Sequence, residues 1–302
     1  MIRSKIREGL PFTTLLYDKV RRIYIDILDK TRPNQRLKRQ FKEKVGYELN
    51  LDNAQTYNEK IQWIKVNWHD PRLVVCMDKY GVRDYVESKG LGYTLNNIID
   101  VYESVEDINI NALPKKFVLK ANHGSGWNII CTNKDELDWN SAKWKLKRWM
   151  KDNFYYHGYE WGYLNIKPKI ICEEFIETAD GKPLKDYKVF CFNGEPKMLF
   201  VASDRIDNQT KFDFYTCDWE FIPVKNHYPN SSEKLPRPKE LEEVLEISRK
   251  LSEGFPHVRV DVYIESGRII FGEMTFGHFS GLHPFKPEEY DYEFGKYFKL
   301  PN

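Results

Sequence analysis

Two carboxylates and a lysine carry the most chemical promise in this sequence. Asp261 lies in the run 256–263, PHVRVDVY, and Glu273 in the run 269–276, IIFGEMTF, with Ser266 and Gly267 between them. In strands whose side chains alternate, Arg259, Asp261 and Tyr263 share one face, and Phe271, Glu273 and Thr275 share another. Pairing through the Ser266-Gly267 turn sets Asp261 opposite Glu273. Two facing carboxylates repel, and a divalent cation is the usual remedy. Mg2+ takes one or two carboxylates plus substrate phosphates, so the pair points to nucleotide chemistry. The plainer alternative is two solvated acids on an open sheet face. Val260, Val262, Ile270 and Phe271, which would bury the other face, speak against it, as does Arg259 alongside.

The lysine is Lys120. It closes the apolar run Phe117, Val118 and Leu119, and Asn122, His123, Gly124, Ser125 and Gly126 follow as a polar loop before a second β-rich run at 127–131. An ammonium at a strand end supplies a point charge, and glycines let backbone N–H groups approach phosphate oxygens. The spacing matches neither common phosphate-loop pattern. Taken alone, the loop reads equally as a surface hairpin made of turn residues. Further on, residues 169–176, KIICEEFI, bring an apolar strand into Glu173 and Glu174 and out through Phe175 and Ile176. Such an edge can offer backbone N–H and C=O groups to a purine held between bulky side chains.

The elements that must position these groups alternate between helix and strand. Thr56 or Asn58 can cap a helix containing Ile61, Trp63, Ile64 and Val66. Asp78 and Lys79 open a helical pattern (Tyr80, Val82, Tyr85, Val86) that stops at Gly90-Leu91-Gly92. Strand-like runs follow at 98–102, 186–192, 198–202 and 212–219, with a turn at Asn193-Gly194 and helices over 138–153 and 240–253. The segment 153–164, NFYYHGYEWGYL, has no period; it reads either as a sugar-binding wall or as a packed irregular loop. The fold class expected is α+β.

A chain of 302 residues with 41% apolar and 30% charged residues fits a soluble protein of one large or two to three small units. Five cysteines fall singly, so no disulfide framework is expected and a reducing cytosol is the simplest home. No apolar run approaches the roughly 18 residues of a spanning helix, and the N-terminus lacks the apolar core of a signal peptide. Net charge is +2, but residues 1–48 hold thirteen Lys or Arg against six acids, which is +7 and leaves −5 for the rest. Within them Val20, Ile23, Tyr24, Ile27 and Leu28 recur at helical spacing beside Arg21 and Arg22. Two readings stand: a segment resting on an anionic membrane or acidic polymer, or a helix docked on the body with its basic face in water.

Asp78-Lys79, FVLK with HGSG at 117–126, EEFI at 173–176, DYKVFCFNGEP at 186–196, RVD at 259–261 and GEMTFGHFSG at 272–281 occur in an order that resembles the TupA-like branch of the ATP-grasp enzymes. The resemblance covers roughly residues 50–295. It implies an ATP-grasp fold of two α+β subdomains gripping the nucleotide: a basic helical extension (1–50), an α/β part (51–112), a central subdomain with phosphate loop and adenine hinge (113–178), and a C-terminal subdomain with a metal-binding hairpin (179–302). It further implies ATP and Mg2+. Lys120 would hold the α and β phosphates, Ser125 and Gly126 would cover the β and γ phosphates, and His123 shares their loop. Glu173, Phe175 and Ile176 would meet adenine, and Asp186 and Lys188 would add nucleotide contacts. Asp261, Glu273 and Thr275 would bind metal, and Arg259 would steady the transferring phosphoryl group. Thr275 departs from the family pattern, which has Asn there, so a second metal is in question.

That branch is associated with bacterial capsule, teichuronopeptide and exopolysaccharide clusters. The reaction implied is ATP-dependent carboxylate-amine ligation in the cytoplasm, with an acidic sugar acceptor, an amino acid or other amine donor and no nucleic acid. Arg205, His278, Ser280, Tyr159 and Glu160 are the expected substrate contacts. A glycosyltransferase is the first alternative, although the chain has no D-x-D metal motif; a sugar kinase and a non-catalytic nucleotide- or glycan-binding module are the others.

Overall fold

In the computed structural model, which describes residues 11–204 and 210–301, the chain folds as α+β around two antiparallel sheets. The smaller has strand order β1-β4-β2-β3, with β1 Ile98–Tyr102, β2 Phe117–Ala121, β3 Asn128–Cys131 and β4 Ile170–Glu174. The larger has order β11-β10-β5-β6-β7-β8: β5 Asp186–Phe192, β6 Glu195–Ser203, β7 Lys211–Thr216, β8 Phe221–Ile222, β10 His257–Glu265 and β11 Arg268–Thr275. Residues β9 Lys225–Asn226 and β12 Phe285–Lys286 form a small separate pair.

The six-stranded sheet is covered on both sides, which explains why its strands read as near-continuous apolar runs. Tyr187, Val189, Cys191, Val258 and Val260 pack on Val244 and Leu251 of one helix, Leu241–Ser252. Phe190, Phe192, Phe200 and Phe214 pack on Tyr57, Phe294 and Phe298. Asn193 and Gly194 make the tight β5–β6 turn with φ of 52° and 84°, as a two-residue hairpin of this hand requires. The four-stranded sheet is covered on one side only. Phe117, Leu119, Ile170 and Cys172 meet Leu146 and Trp149 of helix Trp139–Lys151, while Lys120 and Glu173 look away, toward the larger sheet.

Thr56, not Asn58, caps helix Tyr57–Asn67, in a reciprocal arrangement with Glu59. Asn58 instead donates to Asp291 (2.9 Å), tying this helix to Glu289–Tyr297. The stretch 51–112 is therefore shared between layers: its helix packs on the larger sheet, whereas β1 pairs with β4. All five cysteines are unpaired. Among the described residues no helix is long and apolar enough to cross a membrane.

The first of the described helices, α1 (Pro11–Thr31), reverses the docked-helix expectation. Val20, Ile23, Tyr24 and Ile27 are 51 to 59% exposed, and among the described side chains of this helix the buried apolar one is Ile25. Arg21 and Arg22 face the body: Arg21 donates to the Tyr156 carbonyl (3.0 Å), and Arg22 donates to the Lys151 carbonyl (2.7 Å) and pairs with Asp152 (3.3 Å). The surface beneath offers Arg148, Asp152 and Tyr156, so polar pairing decides which side of the helix turns in.

Buried histidines give the fold an acid limit. His257 donates from Nδ1 to the Cys191 carbonyl (2.9 Å) and accepts the Tyr57 hydroxyl at Nε2 (3.0 Å), and burial lowers its pKa to about 3. Between that value and the ordinary one near 6.5 the unfolded chain binds a proton the folded chain refuses, so stability falls as pH falls through this window, by ~1.4 kcal/mol per unit. Asp291, pushed up to about 6 by burial, works the other way between there and about 3.8. The buried His278, held well below its usual pKa, adds to the His257 trend. Urea midpoints are expected to drop from pH 6.5 to 4.5 in the parent and less steeply in His257→Gln; parallel slopes would refute the assignment.

Candidate active site

The β10–β11 hairpin pairs Asp261 with Glu273 and Arg259 with Thr275. The two strands do not alternate uniformly, however. The register shifts after Asp261, because β11 carries an extra residue opposite the Asp261–Val262 step. Gly272 sits at this bulge, where a Cβ would lie 3.0 Å from the Asp261 carbonyl oxygen. Without the bulge Glu265 opposite Arg268 would bring Gly272, not Glu273, to Asp261. Phe271 consequently goes to the core with Ile269, Met274 and Phe276, contrary to the expected shared face with Glu273 and Thr275.

Strand β5 lies on the other side of β10 and puts Lys188 opposite Asp261. The result is a dense charge cluster. Arg259 grips Asp261 through two bonds (2.7 and 2.6 Å), donates to Thr275 Oγ1 (3.1 Å) and to His278 Nδ1 (2.5 Å), and lies 3.6 Å from Glu273. Lys188 bridges Asp261 and Asp186, the latter at 2.6 Å. Thr275 donates to Glu273 Oε1 (3.1 Å). Burial pushes the Glu273 carboxyl up, but Lys79, Lys188 and Arg259 outweigh it and hold the group well below the usual carboxylate range. Burial also works against the Arg259 charge, yet Asp261 and Glu273 raise its pKa above the ordinary guanidinium value. His278 donates from Nε2 to Asn226 Oδ1 (2.9 Å), which leaves Nδ1 to receive Arg259.

The facing wall belongs to the smaller sheet. Lys120 pairs with Glu173 at 2.6 Å. Beyond it Ser125 and Gly126 stand exposed at the tip of the loop, with Gly126 at φ 71°. Gly124 has no room for a side chain: a Cβ would lie 2.3 Å from the Trp127 ring. Lys79 joins the two walls. Its backbone N–H donates to the Asn122 carbonyl (3.0 Å), its Nζ donates to the Gly124 carbonyl (2.8 Å), and the same Nζ lies 3.3 Å from Glu273 Oε2. Lys79, Arg83, Asn96, Lys120, Glu173 and Gly272 line the narrow gap there. A cavity of about 220 Å³ continues from it, walled by Glu174, Phe175, Ile176, Arg268 and Ile270.

Arg259, Asp261, Glu273, Thr275, Lys188, Asp186 and His278 thus meet in one cluster; Lys120 and Glu173 line the gap beside Gly272, Phe175 and Ile176 line the cavity beside Ile270, and Ser125 and Gly126 stand at the exposed loop tip. Four expected contacts, His123, Tyr159, Glu160 and Ser280, are engaged outside this cluster. His123 is buried beneath its loop, with Nδ1 3.0 Å from Asn122 Oδ1 and Nε2 2.9 Å from the Trp149 carbonyl oxygen. Tyr159 turns to the N-terminal helices, its ring under the Arg36 guanidinium at 4.6 Å. Glu160 is buried and accepts the Ser280 hydroxyl (2.6 Å), while Lys65 and Gln62 donate to the Ser280 carbonyl. These groups brace the 277–281 loop, where Phe279, Ser280 and Gly281 all have positive φ. The aromatic segment 153–164 is accordingly packed, not an open wall. Arg205 lies outside the described residues. The sequence assigns no site role to Lys79 or Arg83; its signals are the Asp78-Lys79 pair at a helix start and the place of that pair at the head of the motif order.

Two carboxylates opposed across a hairpin, one of them with a hydroxyl bonded to it, fit a hard divalent cation. Glu273 is the more accessible donor, its side chain 30% exposed, whereas both Asp261 oxygens are occupied by Arg259 and Lys188. Among the described residues no group of three His, Cys, Asp or Glu side chains is arranged to hold a metal, so substrate oxygens would complete the shell.

Two antiparallel sheets closing on a gap lined by lysines on one side and a charged hairpin on the other define an ATP-grasp fold. The family description "TupA-like ATPgrasp" matches residues 59–299, and the chain belongs to that family. Solved structures that resemble it include D-alanine–D-alanine ligase from Bacillus anthracis (19% identity, 67% of this chain and 57% of that one, TM-score 0.39). The D-alanine–D-alanine ligase of Helicobacter pylori (18%, 75% and 59%, 0.42) and an L-amino acid ligase from Bacillus licheniformis (16%, 66% and 42%, 0.39) are others. The chain spans little more than half the length of the two D-alanine ligases. No functionally curated protein matches it.

Proposed function

We propose that this protein is an ATP-dependent carboxylate-amine ligase acting on an acidic sugar unit of a bacterial surface polysaccharide. The observation that carries the reading is the position of Lys79, within ion-pair distance of Glu273 on one wall and bonded to the phosphate-loop carbonyl on the other. A triphosphate laid between these walls meets Lys79, Lys120 and Arg83 from one side and Lys188 and Arg259 from the other. Adenine would enter the cavity at Phe175 and Ile176, with backbone groups at the end of β4 as its hydrogen-bonding edge.

Glu273, with Asp261 and Thr275, would hold Mg2+, which would neutralise phosphate charge when bound. Lys120 and Arg259 then offset the charge that develops as a substrate carboxylate oxygen attacks the γ phosphorus and the bond to ADP breaks. The acyl phosphate so formed loses phosphate to an attacking amine, whose proton leaves to solvent or to a base, giving an amide, ADP and phosphate. No protein nucleophile is required. His278 acts through Arg259: its Nδ1 lone pair fixes the guanidinium without competing for a proton, because the ring stays neutral.

The decisive experiment incubates the protein with ATP, Mg2+, uronic-acid glycans and pooled amino acids and identifies products by mass spectrometry. An amide adduct with equimolar ADP is expected. A phosphate ester would make the protein a kinase, and UDP released from a sugar nucleotide without ADP would make it a glycosyltransferase.

A further inference from the structure

The outer side of α1 is chemically one-sided in a way its packing does not demand. All three carboxylates of its described side chains turn toward the protein and are engaged there: Asp18 with Arg148 (3.3 Å), Asp26 with the Tyr156 hydroxyl (3.0 Å) and Asp29 with Arg36 (3.2 Å). Both lysines, Lys19 and Lys30, are exposed. Between and beside them run Tyr17, Val20, Ile23, Tyr24 and Ile27, each more than half exposed, at spacings of three and four residues. What this helix shows to its surroundings is apolar and cationic, with no acid among the described side chains.

We propose that this face is a docking surface for an anionic lipid bilayer, on which α1 lies in the plane of the interface. The charge pattern selects that occupant. Interfacial helices combine a buried apolar face with flanking lysines that meet anionic headgroups, and tyrosines place their hydroxyls at that level. A second copy of the chain is the main competitor, since Tyr17, Val20, Tyr24 and Ile27 fall at heptad spacing. Such a seam needs opposite charges at its flanks, and here the flanking positions hold Arg21, Ile23, Leu28 and Lys30 over only two heptads. The inference is independent of the ligase reading.

The test is sedimentation of the full chain with vesicles of phosphatidylcholine alone or mixed with phosphatidylglycerol. Binding to the mixed vesicles only, weakened by salt, is expected. Ile23→Ser/Ile27→Ser and Lys19→Glu/Lys30→Glu should each reduce it about tenfold or more. Because these side chains are exposed, both variants should unfold at the parental urea midpoint, which separates lost binding from lost folding. Absence of sedimentation with mixed vesicles at low salt, or binding that both variants retain, overturns the proposal. So does a dimer by light scattering that Ile23→Ser/Ile27→Ser converts to monomer, which would assign the stripe to a second copy.

Discussion

An Arg259→Met protein is expected to lose ADP production by about a thousandfold or more and to unfold at a clearly lower urea concentration. The side chain is 8% exposed and satisfies a carboxylate that is itself 2% exposed. Removing it leaves Asp261 with Lys188 as its remaining cation and takes the donor away from His278 Nδ1. Breaking one side of a buried ion pair costs about 3–5 kcal/mol, more than the pair contributes relative to an apolar replacement, because an uncompensated charge remains. Arg259→Lys keeps the charge but not the two-pronged grip, so it should recover part of the stability and little of the turnover. A methionine variant with the parental midpoint would show that the cluster is not held together as described.

Lys79→Ala is expected to weaken Mg-ATP binding by about ten- to a hundredfold, the range of a charge-assisted hydrogen bond. Lys79 touches both the loop and the hairpin, so its loss removes the link between walls and, on the proposed assignment, a phosphate partner. Glu273 keeps Arg259 and Lys188 as neighbours and should remain ionised. Titration calorimetry with a non-hydrolysable ATP analogue, with and without Mg2+, measures the effect. A dissociation constant within twofold of the parent would remove Lys79 from the nucleotide site and weaken the placement of the whole cleft.

Much of this arrangement was legible from local pattern. Strands β1 and β5 and the Asn193-Gly194 turn follow from alternation and turn chemistry, which are short-range. The Ser266-Gly267 turn brings Asp261 and Glu273 near each other, and the bulge at Gly272 sets them opposite. What failed was long-range or broke a period. The Gly272 bulge sends Phe271 to the core, and alternation cannot see an inserted residue. An aromatic, aperiodic neighbourhood lets Tyr159 and Glu160 read as substrate contacts or as part of a packed loop, and their partners, Arg36 and Ser280, come from over a hundred residues away. His123 shares a loop with Ser125 and Gly126 yet is pinned by Trp149 from a later helix. The hydrophobic stripe of α1 is legible in the sequence, whereas its direction stays open between two readings there, since direction depends on which residues the body presents.

The contact between Lys79 and Glu273 pairs a cation with an anion across the two walls of the cleft. On the proposed assignment, the ammonium would occupy the carboxylate that a magnesium ion needs, and the carboxylate would occupy the ammonium that a phosphate needs. Displacing both at once needs metal and nucleotide together, so on the proposed assignment each alone should bind poorly and either should sharpen the affinity for the other. The cleft would then discriminate against free ATP and free magnesium before any catalytic group is called upon.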